Sequence, residues 1–142
     1  MLCLVFSSFL FIIPALYAYT HGMLLYAALL STTSLVSANY WRDPFTPSWR
    51  KVADLFIAKV SFTTFVISGI FYVRDLHFIL VAYPGLIFLI YCYYESCTGF
   101  CRGNDGWYVY HFAFHVVMNC ELIIILVSCC PPESPCINNA SR

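Results

Sequence analysis

Five apolar runs follow one another along the chain, separated by short polar stretches. The first covers 2–19, "LCLVFSSFLFIIPALYAY", and the second, after only Thr20-His21, covers 22–38, "GMLLYAALLSTTSLVSA". The third covers 53–73, the fourth 77–94 and the fifth 108–130. A helix needs about 20 mostly apolar residues to cross the hydrocarbon core of a bilayer. The pattern therefore predicts an all-α, polytopic transmembrane helix bundle of about five spans, forming a single integral membrane domain over 1–142. A four-span count, with the first two runs merged or one of them cleaved, is the alternative. The first run has no basic segment before it and is long for a signal sequence, so it reads as an anchor. Pro84-Gly85 within the fourth run predicts a kink. Pro131-Pro132 end the fifth and leave 131–142 as a polar tail.

Composition agrees with the pattern. Hydrophobic residues make up 61% of the 142 and charged residues 10%, with a mean hydropathy of +0.78, too little charge to clothe a water-soluble domain. Seven basic and seven acidic residues cancel, so there is no basic footprint for nucleic acid, and the partner implied is the lipid bilayer. Eight cysteines occur without a CxxC pair. Those in apolar runs read as small hydrophobes, and Cys97 and Cys101 read as loop thiols open to palmitoylation. Arg42, Arg50, Lys51 and Arg102 fall in the loops after the second and fourth runs, while Arg74 and Arg142 lie on the opposite side. That imbalance predicts a multi-pass protein with a cytoplasmic N-terminus and an outer tail, on which Asn139-Ala140-Ser141 forms a glycosylation sequon.

Candidate chemistry centres on "YHFAFHVVMNCELIIIL", 110–126. His111 and His115, at i and i+4, share one helix face, a spacing that lets two imidazoles hold one metal ion. Zinc needs three or four ligands, and two helix-packing histidines are the plainer reading. In an antiparallel bundle the end of span two and the start of span three meet the end of span four and the start of span five. Ser37, Asn39, Asp54, Glu95 and the two histidines are thereby brought to one leaflet. Asp54 opens a polar seam continued by Ser61, Thr64 and Ser68, which must face the bundle; a carboxylate at a helix start also suits the dipole. The hydroxyls of "STTSLVS" read first as packing residues. Glu121, roughly 20 Å along the fifth helix, reads as hydrogen-bonded within the bundle, with Ser68 as its partner, and second as part of a proton path.

These residues resemble the CREST superfamily of membrane hydrolases, which includes alkaline ceramidases and the progestin and adipoQ receptors. His111-x3-His115 is similar to the family's last motif, Asp54 to its acidic position, and Ser37 to its serine. The resemblance implies zinc held by three histidines, with Ser and Asp supporting a metal-bound water that attacks a lipid amide. The family's first histidine is missing: Trp41 stands four residues after Ser37, and Ala38 four after Ser34. What the resemblance implies here is a metal set of His111, His115 and Asp54, with Asp54 and Ser37 as catalytic groups. Asn39 or Glu95 can supply a further oxygen. The chain therefore reads as a small multi-pass membrane protein of two candidate classes. One is a reduced, zinc-dependent lipid amide hydrolase; the other is a non-enzymatic membrane scaffold or assembly protein with a degenerate polar site.

Overall fold

The computed structural model describes residues 2–45 and 48–129, and they form an all-α bundle. Its five helices are α1 (Leu2–Thr20), α2 (Leu24–Trp41), α3 (Trp49–Tyr72), α4 (Leu76–Cys101) and α5 (Trp107–Cys129). All but α2 are long and apolar enough to cross a membrane. The tail residues and the sequon predicted on them lie outside the described residues.

Local chemistry sets the helix ends. Gly22 and Gly103 both adopt positive φ, 74° and 68°, two residues past the ends of α1 and α4. Met23 N–H then donates to Ala18 O at 2.8 Å, and Asn104 N–H to Gly99 O at 2.9 Å. This is the left-handed cap that closes a helix on its own carbonyls, a conformation that costs a residue with a Cβ. Asp75 caps the start of α4, its carboxylate accepting from His77 N–H at 3.0 Å.

Several boundaries differ from those predicted because hydropathy falls before the backbone stops being helical. The fourth helix continues past Glu95 to Cys101, so Cys97 and Cys101 sit on its last turns and not in a loop. Gly103 is the first residue that ends it. The third helix begins at Trp49, ahead of the apolar run, because Trp49, Arg50 and Lys51 are polar or interfacial yet compatible with a helix. Pro84 lies inside α4, and the chain stays helical on both sides of it. The irregular helix is α1, where Phe9–Phe11 form a 3₁₀ turn ahead of Pro14. Proline has no N–H for the carbonyl one turn back and crowds it, which loosens the helix there.

Helix α5 is the hub. It packs on α1, α3 and α4, while α1 pairs with α2 and α2 with α3. The main core gathers Phe11, Ala15 and Ala18 of α1 with Ala27 and Leu30 of α2, and Phe65, Leu89, Leu122 and Leu126 of the others. The alanines let α1 and α2 approach closely, as small residues do between membrane helices. A second cluster, Leu4, Tyr40, Trp41 and Trp107, lies at the opposite end. Large apolar side chains such as Leu25, Phe56, Leu80 and Ile87 point outward, as a lipid-facing surface requires.

Candidate functional site

The polar residues cluster near the Trp41–Trp107 end. His111 and His115 sit on the second and third turns of α5, about 6 and 12 Å along it at 1.5 Å per residue. Their rings lie 4.9 Å apart, centroid to centroid. His115 is buried at 3% exposure, and its Nδ1 is 2.8 Å from Ser7 Oγ of α1. Ser7 Oγ also lies 3.1 Å from Leu4 O. One hydroxyl proton serves one of these at a time. With the proton on Leu4 O, His115 donates from Nδ1; with it on Nδ1, the imidazole proton moves to Nε2. The Ser7 rotor thus selects the tautomer.

His111 is built in parallel fashion, its Nδ1 lying 3.0 Å from Ser96 Oγ of α4. Aromatic rings enclose both imidazoles. Trp41 packs 4.5 Å from His111, and Phe11 meets His115 edge-on at 5.3 Å. Trp41 Nε1 is buried with no hydrogen-bond partner among the described residues, as is Asn119 Oδ1; Asn119 Nδ2 donates to His115 O at 2.8 Å.

A second line of hydroxyls runs beside the first. Ser8 Oγ lies 3.2 Å from Ser37 Oγ and 2.8 Å from Leu4 O, and Ser34 Oγ donates to Ser8 O at 2.9 Å. Ser37 in turn interacts with the Asp54 carboxyl, which also feels the Tyr40 hydroxyl. Ser8 and Ser37 thereby join α1 to α2, with Asp54 of α3 beside Ser37. Further along, Thr33 Oγ1 meets Ser61 Oγ at 2.6 Å and Tyr26 Oη meets Ser68 Oγ at 2.8 Å. The seam predicted on α3 does face the bundle, at Ser61 and Ser68.

The predicted residues divide into two neighbouring groups. Ser37 joins Asp54, and His111 joins His115. No three His, Cys, Asp or Glu side chains converge as a metal ion requires among the described residues. Asp54 is therefore not gathered beside the histidines as a third ligand, and this donor set does not fit zinc, which takes at least three protein ligands. Asn39 and Glu95 make no hydrogen bond to either group among the described residues. Ser68 does not reach Glu121; its hydroxyl is taken by Tyr26 and by Thr64 O, at 2.8 Å each.

Ser7, Ser8 and Ser96 are the site residues that sequence reasoning missed. The available signal was Ser7-Ser8, a polar pair in the middle of the first apolar run. Comparison of the chain with protein families, curated proteins and solved structures finds no match.

Proposed function

We propose that this multi-pass membrane protein is a non-enzymatic scaffold or assembly protein, in which a CREST-like polar site is now a hydrogen-bonded staple between helices. One observation carries the reading: where the resemblance calls for a histidine, Trp41 packs against His111. Indole has one N–H and no lone pair for a metal. The Nδ1 atoms of His111 and His115 are already matched to serines of two other helices. Each pair joins groups that are costly to leave unmatched in a dry interior.

The alternative reading, zinc-dependent hydrolysis of a lipid amide, draws on the Ser8–Ser37–Asp54 line. That line supplies the hydroxyl and carboxylate that the resemblance assigns to orienting water. It lacks a third protein ligand for the metal among the described residues.

Zinc content per chain, measured after purification without chelators, separates the two. The expected result is no stoichiometric zinc in the parent protein and a gain of zinc in Trp41→His, which restores a third imidazole next to His111. Stoichiometric zinc in the parent, lost in a folded His111→Ala/His115→Ala double variant, would overturn the scaffold reading.

A further inference from the structure

Helices α3 and α4 are consecutive in the chain, joined by Val73, Arg74 and Asp75 alone, yet they do not pack on each other. Each leans on α5, and a wedge-shaped groove of about 250 Å³ opens between them. Phe62, Val66 and Ile70 form one wall, Leu86 the other and Leu122 the floor. Ile70 and Tyr83, on its two lips, are 70% and 62% exposed, so the groove opens sideways, toward lipid in a bilayer.

One ionisable group lies deep in the apolar lining. Glu121 faces the groove from α5 at 9% exposure and has no hydrogen-bonding or ionic partner among the described residues. Its carboxyl lies against Gly85 of α4, where a Cβ would fall on the carboxyl oxygen. The missing side chain on α4 is what gives the carboxyl its place. An unmatched carboxyl in a dry site is costly, and such residues inside membranes are retained for a partner.

We propose that the groove binds an uncharged, hydroxyl-bearing, single-chain amphiphile, its chain along α3 and its hydroxyl hydrogen-bonded to Glu121. Three features select that class. No basic residue lines the groove, Glu121 is its sole carboxylate, and the one other polar side chain, Tyr83, stands on the exposed lip, so one buried polar contact is on offer. Bringing an ammonium group to this depth means desolvating a full charge, whereas a hydroxyl costs far less and still satisfies the carboxyl. The volume lies below the ~300–1,000 Å³ of pockets that enclose drug-sized ligands, which suits one chain and excludes the body of a two-chain lipid.

The test uses the full chain in phosphatidylcholine liposomes with a diazirine-bearing long-chain alcohol as the probe. After illumination, labelled peptides are mapped by mass spectrometry. Labelling is expected on Val66, Ile70 and Leu86, competed by unlabelled alcohol and not by the matching alkane. Glu121→Leu should weaken labelling about three- to tenfold, the fold-change of one hydrogen bond in this setting, with Glu121→Gln close to the parent. Ile70→Trp, a substitution on an exposed lip that leaves the core alone, should block labelling even if the Glu121 variants misfold. Equal competition by alkane, or stronger competition by an alkylammonium, would overturn the assignment. So would ready disulfide formation between two copies of an Ile70→Cys variant under a mild copper-catalysed oxidant and without the alcohol, which would make the groove an interface.

Discussion

At the residue scale the two histidines are close to equivalent in sequence and unequal in place. His115 and Ser7 are both almost fully buried, whereas His111 is only partly so. Side-chain hydrogen bonds between membrane helices contribute about 0.6 kcal/mol on average and at most ~1.7. Ser7→Ala strands a ring nitrogen on an almost fully buried side chain, so it should lie near the upper end of that range. Ser96→Ala, beside the more accessible His111, should lie near the average. Unfolding of each variant in bicelles checks the order; equal losses would mean that burial does not grade the two bonds. The histidine pair was legible because a period of four is written locally. Its serine partners were not, since Ser7 and His115 are 108 residues apart and nothing local in a greasy run says which hydroxyl faces inward. The absence of the third histidine was equally plain from Ser37-x3-Trp41. That Trp41 would pack on the very ring that a histidine was expected to accompany is a tertiary fact.

Helix α2 shows at the element scale how hydrophobicity and helix position part company. It is rich in Ser and Thr, and its hydropathy falls below that of the four other helices. Yet Thr33, Ser34 and Ser37 are buried, each turned toward α1 or α3. A helix that hides its polar face inside the bundle presents less of it to lipid than its composition suggests. The Thr33–Ser61 contact is expected to act as a pair. In a double-mutant cycle, Thr33→Val and Ser61→Ala should show a coupling of about 0.6 kcal/mol and no more than ~1.7. Additive losses would mean that each hydroxyl is satisfied by its own helix, as Thr33 also is through Leu29 O at 2.8 Å. The existence of α1 to α5 was readable from the apolar runs. Their ends were not, because capping and positive φ decide them at Gly22 and Gly103, where hydropathy is silent.

For the whole molecule, geometry bears on the number of bilayer crossings more directly than hydropathy does. Leu4 near the start of α1 packs with Tyr40 and Trp41 at the end of α2 and with Trp107 at the start of α5. Met23, in the turn after α1, packs instead with the core that includes Ile125 and Leu126 near the end of α5, with Val73 and Cys129 beside it. Helix α2 therefore covers the same height as α1 in the reverse direction, and its 18 residues rise about 27 Å. If α1 crosses, α2 returns. That arrangement puts Arg42, Arg50, Lys51 and Arg102 on one side and Arg74 on the other, and the side rich in arginine and lysine is expected to be cytoplasmic. Single cysteines at Gly22, Asp75 and Asn104, placed in a background with the native thiols replaced, test both points with a membrane-impermeant maleimide. Gly22 and Asp75 should label together from outside intact cells, and Asn104 only after permeabilisation. Labelling of Gly22 with Asn104 would mean that α2 does not cross, and the bundle would then be a four-span one with α2 held against its flank. Reversal of all three would keep the five crossings and overturn the orientation alone.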